Sequence, residues 1–369
     1  GGAGVPRRSR SVASRESGET GVSSTDTQLL FTRAGNADPS SFVQLEKLGL
    51  REQWLIGKDE LSVFEEDVLG KGGCGIVVGG AFCKGPIAVK KELNDSKLDN
   101  SNLMATINEI RILRHVRHPH IALFHGACID PVSKDIMLVL ERVQGHSLES
   151  FITARQWWRP SSPEADLQVL IMQGVIQALI YLHSRRPCVV HGDLKPMNII
   201  IEPRANGDFF PKLLDFGLSR TVTRHARLNG GTPCYVSPEV VQERDYKPRP
   251  MADIFSLGRL LFTVASGRRP LARYKPGEIV QALKGGRVHD LAWMPSADLL
   301  EKQRPIIERC TTLEQRLRPT ASEVHDMLDP LDQATRRGTK LRGSPQRGPL
   351  EGPSEGPQEG SLEPIPEAQ

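Results

Sequence analysis

The sequence predicts an α+β fold of two lobes, in which a small lobe with an antiparallel β-sheet and one key helix precedes a larger helical lobe. Residues 64–143 contain short apolar runs that are typical of buried strands, together with one helical segment near 106–115. The clearest of these runs are 76–78, 87–89 and 136–140. Further along, apolar residues recur at steps of three and four from Leu167 to Leu182, which indicates a long, buried helix. A cleft between two lobes is the expected place for a ligand.

Composition divides the chain into three regions. Residues 1–44 are rich in Ser, Gly, Thr and Arg without a sustained period, which predicts a flexible N-terminal arm. Residues 334–369 contain a near-repeat of Glu-Gly-Pro, which predicts a disordered tail. The remaining residues, 45–333, are expected to form the folded domain, with the small lobe ending near residue 143.

Charge and cysteine usage exclude several classes of protein. The chain has 48 basic and 44 acidic residues, a net charge of +4, which is too balanced to predict nucleic-acid binding. No run of 18 apolar residues occurs, so no transmembrane segment is expected. The six cysteines are scattered without zinc-site spacing, which favours a reduced, cytoplasmic chain.

Residues 69–77, LGKGGCGIV, have the spacing G-x-G-x-x-G-x-V. In a chain with 34 glycines this pattern is weak by itself, and a glycine-rich turn is the ordinary alternative. A dinucleotide-binding loop would continue into a helix. Here the β-branched run 76–78 follows, which favours a second strand. A strand–loop–strand unit of this kind can lay backbone N–H groups over phosphates.

Lys90 ends the apolar run 87–89, where a charge that points into a cleft needs an anionic partner. Phosphate oxygens or a carboxylate would serve. The candidate carboxylate is Glu109, in the helical segment 107–114. Taken alone, Glu109 is more typical of an ordinary solvated helix face.

Residues 191–198, HGDLKPMN, lie between two apolar runs, so their polar side chains can share one loop. In such a loop Asp193 is suited to accept a hydroxyl proton and Lys195 to neutralise a migrating phosphoryl group. Asn198 offers an oxygen of the type that Mg²⁺ prefers. Asp215 follows the strand-like residues 212–214, KLL, in an Asp-Phe-Gly sequence, which alone is an ordinary turn signal.

In this order and spacing, the motifs resemble those of a eukaryotic protein kinase domain over about residues 62–330. Residues 231–239, GTPCYVSPE, are similar to the segment that closes the family's activation loop. Asp253 begins a DIFSLG sequence that resembles the helix anchoring the catalytic loop. Arg318 matches the arginine that pairs with the acid of the Pro-Glu sequence, here Glu239. The resemblance implies a two-lobed, protein-kinase-like fold.

The resemblance also implies phosphoryl transfer from ATP with Mg²⁺, in which the protein mainly positions groups and neutralises charge. It implies catalytic roles for Asp193, Lys195, Lys90, Glu109 and Thr232. It implies that Mg²⁺ is held by Asn198 and Asp215. The residues implied to bind ATP are Leu69, Gly70, Lys71, Gly72, Gly73, Cys74, Gly75, Val77, Ala88, Lys90, Leu140, Glu141, Val143 and Ile200. The residues that match the apolar stack of the active state are Leu113, Phe124, His191 and Phe216.

The implied partner is a protein substrate with a Ser or Thr acceptor, because Lys195-Pro196 and Gly231-Thr232 resemble the Ser/Thr kinases. The sequence 54–56, WLI, followed by Leu61, resembles the tyrosine-kinase-like branch, whose members are mostly Ser/Thr enzymes. The alternative function is a pseudokinase scaffold that binds nucleotide or partners without turnover. A small-molecule kinase on a similar fold would lack the segment 231–239.

Three departures from the family pattern bear on mechanism. Gly192 replaces the usual Arg before the catalytic Asp, so we expect activation without a phosphate docked at that position. Candidate phosphorylation sites are Ser219, Thr221 and Thr223. Cys74 stands at the tip of the glycine loop, where a tolerated small residue is expected rather than a reactive thiol. Residues 203–210 are expected to be a surface insertion.

Overall fold

The computed structural model describes residues 39–72, 75–91, 100–130, 135–155, 165–222, 230–243, 246–288, 290–293 and 298–328. These ranges form a small lobe on an antiparallel sheet and a larger, mostly helical lobe, which confirms the predicted fold class. The predicted tail, 334–369, and most of the predicted arm lie outside the described residues.

The small lobe contains a five-stranded antiparallel sheet with the strand order β1-β2-β3-β5-β4. The strands are β1 (Leu61–Gly72), β2 (Gly75–Phe82), β3 (Gly85–Lys91), β4 (Phe124–Asp130) and β5 (Asp135–Glu141). Its helices are α1 (Pro39–Arg51) and α2 (Asn100–Leu113). Because β3 pairs with both β2 and β5, Lys90 lies in the middle of the sheet, opposite Val77 and Leu138.

The larger lobe is built on helices, with short strands that frame the loops of the cleft. Its helices are α3 (Leu148–Arg155), α4 (Ala165–Ser184), α5 (Pro238–Gln242), α6 (Pro250–Ser266), α7 (Pro276–Lys284) and α8 (Asp298–Cys310), with a further helical stretch at 321–328. Its strands are β6 (His146–Ser147), β7 (Val189–Val190), β8 (Ile199–Pro203), β9 (Phe209–Leu213) and β10 (Arg220–Thr221). Turns of 3₁₀ helix occur at Lys58–Glu60, Pro196–Asn198 and Gln315–Leu317.

Helix α1 corrects the predicted boundary of the N-terminal arm, because it includes residues 39–44. Phe42, Leu45 and Leu48 recur every three residues and are each at most 6% exposed. They join the main hydrophobic core, where α1 contacts β4. The burial of this face provides the hydrophobic stabilisation that the polar composition of the region did not suggest.

Helix α4 is the predicted long, buried helix. By length and composition alone, its segment Asp166–Ser184 would be able to cross a membrane, and 61% of that segment is buried inside the protein. Its apolar residues pack on the main core together with those of α6, such as Ile254 and Leu257. This is the arrangement of the core helix of a globular lobe, apolar on nearly every side.

Residues 203–208 are exposed, as expected of a surface connection, and they include the turn of a hairpin. Strands β8 and β9 pair in antiparallel register from Ile199↔Leu213 to Pro203↔Phe209, so only the short turn between them is irregular. The ring of Phe210 stacks on His120 at 4.2 Å between centroids, and Phe209 makes an edge contact with Phe151. Aromatic contacts across the lobe hold this hairpin.

Candidate active site

Lys90 lies between two carboxylates in the cleft. Its Nζ is 2.8 Å from Glu109 Oε2 and 2.7 Å from Asp215 Oδ1. Burial alone would lower the pKa of Lys90, but the charges and hydrogen bonds of the two acids outweigh it and raise the pKa above its ordinary value. The same lysine lowers the pKa of Asp215 against the opposing effect of burial. The cluster therefore holds a protonated lysine and an ionised Asp215.

Helix α2 is tied to the Asp215 segment by hydrogen bonds from two of its side chains. Glu109 Oε1 accepts from the backbone N–H of Phe216 at 3.2 Å. Asn108 Nδ2 donates to the carbonyl of Ser219 at 2.7 Å. These contacts fix the helix against the loop, and the alternative of a solvated face for Glu109, which is 2% exposed, is wrong.

Asp193 is a buried carboxylate whose two oxygens have different partners. Oδ1 accepts from the backbone N–H of Thr232 at 3.1 Å and from its hydroxyl at 2.9 Å. Oδ2 accepts from Lys195 Nζ at 2.6 Å and from Asn198 Nδ2 at 3.2 Å. Lys195 Nζ also donates to Thr232 Oγ1 at 3.1 Å, so the three side chains form one network. Such a network limits the carboxylate to one orientation.

The loop that carries Asp193 is held in place by hydrogen bonds to Asp253 of α6. Asp253 is fully buried and accepts from the backbone N–H groups of His191 at 2.8 Å and Gly192 at 2.9 Å. It also bonds to Nε2 of His183 at 2.9 Å. Burial would raise the pKa of Asp253, but the hydrogen bond and charge of His183 lower it below its ordinary value. An ionised carboxylate thus anchors the backbone just before Asp193.

Gly192 has a backbone φ of +82°, which explains the departure from the family's usual Arg in terms of conformation. A residue with a Cβ is strained in this region by about 1–2 kcal/mol. We expect Gly192→Ala to lower the free energy of unfolding by about 1–2 kcal/mol, measured by urea denaturation. The matched control is Gly277→Ala in α7, where an added Cβ meets no atom within 4 Å. Equal effects of the two substitutions would contradict the strain at position 192.

Four apolar or aromatic side chains form the stack implied by the resemblance. Leu113, Phe124, His191 and Phe216 are each at most 3% exposed. The rings of His191 and Phe216 meet edge to face, with 5.2 Å between their centroids. His191 Nε2 bonds to the carbonyl of Leu214 at 3.1 Å, which satisfies the buried ring. Ser219 completes this region: it is fully buried and its hydroxyl donates to the carbonyl of His191 at 2.8 Å.

The burial of Ser219 corrects the interpretation of that residue as a candidate phosphorylation site, because a hydroxyl without exposure offers no acceptor. Thr221 is partly exposed in β10, and Thr223 lies outside the described residues. The sequence indicated only that Ser219 carries a hydroxyl. The hydrogen bond from Ser219 to the loop before Asp193 depends on the pairing of β10 with β7.

The glycine loop joins β1 and β2 over the cleft. Gly70 pairs with Val77, and Gly72 pairs with Gly75. Gly75 has a φ of +127°, a backbone conformation that glycine adopts readily and other residues do not. A Cβ built on Gly70 or Gly72 meets nothing within 4 Å, so these glycines leave open space above the sheet. Gly73 and Cys74 lie outside the described residues. Leu69 and Lys71 lie on the exposed strand leading to the loop.

The other apolar residues implied to bind ATP lie on β2, β3 and β8 and at the end of β5. Ala88 is 7% exposed, and Val77, Leu140, Val143 and Ile200 are partly buried. The side chain of Glu141 points away from these residues, because its carboxylate accepts from Lys212 Nζ and from the backbone N–H of Leu123, each at 2.9 Å. Only the backbone of Glu141 is left for the cleft.

Arg318 and Glu239 form the ion pair that the resemblance implies. Their two parallel hydrogen bonds are 2.6 Å (NH1 to Oε1) and 2.9 Å (NH2 to Oε2), and the Arg318 side chain is fully buried. Arg318 also donates to the carbonyls of Thr312, Met251 and Leu313. The pair fixes the start of α5, and with it the segment from Thr232 onward.

The fold and this arrangement of charged groups define a protein of the phosphotransferase class. Residues 64–328, well over half of the chain, match the sequence profile of the protein kinase domain. The chain belongs to this family.

Curated relatives agree on the family. The chain is 29% identical over 282 residues to serine/threonine-protein kinase/receptor R831 of Acanthamoeba polyphaga mimivirus, an alignment covering 75% of this chain and 16% of the relative. It is 29% identical over 268 residues to serine/threonine-protein kinase Nek2 of Homo sapiens, covering 70% of this chain and 58% of that protein. It is 27% identical over 269 residues to dual specificity protein kinase shkC of Dictyostelium discoideum, covering 72% and 50%. The chain thus spans from about a sixth to somewhat over half of these relatives' lengths.

Proposed function

We propose that this chain is an active Ser/Thr protein kinase, which transfers the γ-phosphoryl group of ATP to Ser or Thr hydroxyls of proteins. The observation that carries the proposal is the network of Asp193, Lys195 and Thr232, in which a buried carboxylate is held by a cation and a hydroxyl. Two of the relatives described above are named as serine/threonine kinases and one as a dual specificity kinase. These names support the class of acceptor.

In this proposal Asp193 orients the acceptor hydroxyl and takes its proton. Thr232 donates to Oδ1 of Asp193. Lys195 and Asn198 donate to Oδ2 and so fix the direction in which this oxygen points. Lys195 is placed to neutralise charge on the transferred group, since its ammonium lies 2.6 Å from the proton-accepting carboxylate. Both functions need little movement, because the side chains already share one network.

Lys90 binds the α- and β-phosphates, with Glu109 as the residue that positions it. A lysine with its pKa raised stays charged at any working pH, which suits it to phosphate oxygens. The glycine loop supplies backbone N–H groups, and the open space at Gly70 and Gly72 allows phosphates to approach the backbone closely. Ala88, Leu140 and Ile200 enclose the base.

Asn198 and Asp215 are the proposed ligands of Mg²⁺. Carboxylate and amide oxygens are the hard donors that this ion prefers, and both residues lie in the loops beside Lys90 and Asp193, so the residues fit the ion. When bound, the ion would neutralise phosphate charge. Asp215 has a φ of +57°, a costly conformation for a residue other than glycine, which Lys90 and the N–H of Gly217 hold in place.

The pseudokinase alternative is not favoured. A scaffold without turnover has no need for the phosphate-binding lysine, the proton acceptor or the metal ligands. Lys90, Asp193, Asn198 and Asp215 are all present, and Lys90 is paired with Glu109 as binding requires.

The proposal is tested with radiolabelled ATP, Mg²⁺ and peptide libraries whose fixed acceptor is Ser, Thr or Tyr. We expect label on Ser and Thr peptides, and a loss of roughly 10²–10³-fold on Lys90→Met, which removes the charge that stabilises the phosphates. The matched control is Lys58→Met, since Lys58 has a side chain 64% exposed. Label on Tyr peptides alone would contradict the acceptor class, and no label with any library would contradict the activity.

We also propose that the catalytic loop needs no phosphate docked at position 192. Asp253 and the Ser219 hydroxyl hold this loop directly, and the Asn108 amide in turn holds Ser219 through its carbonyl, so that none of these hydrogen bonds involves a phosphate. Phosphatase treatment of the purified chain is therefore expected to change its activity by less than about threefold, within the range of surface effects. A loss of tenfold or more that ATP preincubation restores would overturn this proposal.

A further inference from the structure

A second cavity, of about 300 Å³, lies at the end of α6, and its lining residues include more basic than acidic side chains. Arg268, Arg269 and Arg273 line it, together with one acidic residue, Asp290, and the apolar Phe262 and Leu271. All three arginines are exposed. Apolar walls with several guanidinium groups form the type of pocket that binds a carboxylate or a phosphate.

A buried arginine, Arg259, lies near this cavity: Asp290, which lines the cavity, attracts it, and its guanidinium lies 5.3 Å from the centroid of the Phe255 ring. Arg259, one turn before Phe262 on α6, is 2% exposed, and neither its Nε nor its NH1 has a hydrogen-bond partner among the described residues. Burial lowers the pKa of Arg259 to about 10, against the attraction of Cys234, Asp290 and Tyr235. A buried cation with two unsatisfied nitrogens is costly, and the charge of an anion in the neighbouring cavity would reduce that cost.

The cavity is close to the acceptor site. Arg269 Nε lies 3.2 Å from Sγ of Cys234, and Cys234 is two residues from Thr232, whose hydroxyl contacts Asp193. Two residues of chain span at most about 7 Å, so Arg269 lies within roughly 13 Å of Thr232. An extended peptide covers about 3.3 Å per residue, so this distance corresponds to about four residues.

The charges around the cavity favour an anion. The three arginines that line the cavity are opposed by Asp290 and by Glu149, which attracts Arg269 from α3. The net charge around the cavity therefore remains positive after both acids are counted.

We propose that this cavity, which we call the basic pocket, selects protein substrates that carry an acidic or phosphorylated residue within about four residues of the acceptor Ser or Thr. The inference rests on the proposed kinase function and names its substrate class. The arginines of the basic pocket act as specificity-determining residues.

The first test compares peptide pairs that differ at one position, from four residues before the acceptor to four after it, with Glu, Gln or phosphoserine there. The protein is treated with phosphatase first, so that no phosphate on the chain itself fills the pocket. At one position we expect kcat/KM to be roughly fivefold higher for Glu than for Gln, and higher still for phosphoserine. In Arg269→Gln and in Arg268→Gln/Arg273→Gln this ratio should fall towards one. Arg316→Gln, an exposed arginine of the same lobe, should keep it.

The second test needs no turnover. Binding of fluorescein-labelled phosphoserine and serine forms of the peptide library is measured by anisotropy on the Asp193→Asn variant. We expect tighter binding of the phosphorylated form, reduced by Arg269→Gln. Equal binding of both forms together with no selection in the first test would overturn the basic pocket and leave the kinase function standing. Selective binding without any transfer would support the pocket and contradict the activity.

Arg259→Met distinguishes binding from a structural role. If Arg259 serves an anion, its replacement by an apolar side chain should leave Tm unchanged or raise it, because a buried charge is removed. The same variant should lower the preference for phosphoserine. A lowered Tm with unchanged preference would show that Arg259 is structural and would overturn its part in the pocket.

Discussion

Asp193→Asn is expected to lower kcat by roughly 10²–10⁴-fold, the contribution of a positioned general base. Asparagine keeps the shape of the side chain, and its carbonyl oxygen can still accept from the Thr232 hydroxyl. It has no negative charge and cannot take a proton from the acceptor hydroxyl. Because the lost interaction concerns proton transfer, KM for ATP should change little. Steady-state kinetics over a range of ATP concentrations measures both quantities.

Two controls separate this effect from misfolding. The melting temperature of Asp193→Asn should remain close to that of the parent chain, and binding of ATP with Mg²⁺ should still raise it. Asp326→Asn removes a carboxylate from a side chain that is 77% exposed, and it should leave kcat unchanged. If kcat of Asp193→Asn fell by less than threefold while both controls held, Asp193 would not be the proton acceptor.

The main residues of the candidate active site were predictable from the sequence, because phosphoryl transfer needs particular residue types in a fixed order. Asp193, Lys195 and Asn198 are close in sequence, and a short loop is bound to bring them together. The role of Glu109 was harder to predict, since a glutamate on a helix is most often exposed. Its contact with Lys90, at 2.8 Å, depends on how α2 sits against the sheet. That placement of α2 comes from long-range packing. The order of the motifs implied it, but the local sequence pattern around Glu109 did not.

Features outside the motifs were not predictable in this way. The three apolar residues of α1 stand in a polar stretch, and they are buried because they pack into the main core, where α1 contacts β4. Arg259 is a charged position in a mostly apolar helix. It is buried because neighbouring elements cover α6 on almost every side, where 14 residues are buried. The partner surface, and not the local sequence, decides burial at such positions.

Arg318→Met is expected to lower the free energy of unfolding by about 3–5 kcal/mol, because it leaves the Glu239 carboxylate buried without its partner. Three backbone carbonyls, of Thr312, Met251 and Leu313, also lose a donor. Since each kcal/mol shifts Tm by about 2–4 °C in a domain of this size, Tm should fall by roughly 6–20 °C. Thermal and urea unfolding measure the two quantities.

A double variant distinguishes the loss of charge pairing from the loss of packing. Arg318→Met/Glu239→Met removes both charges, so it should be more stable than Arg318→Met alone, although the three carbonyls remain without their donor. Arg316→Met, whose side chain is 82% exposed, should change the free energy of unfolding by less than about 0.5 kcal/mol. A double variant no more stable than the single one would show that the arginine acts through the carbonyls rather than through Glu239. Because the pair holds the start of α5, and Thr232 lies just before it, the single variant should also lower kcat by loosening the hydroxyl that orients Asp193.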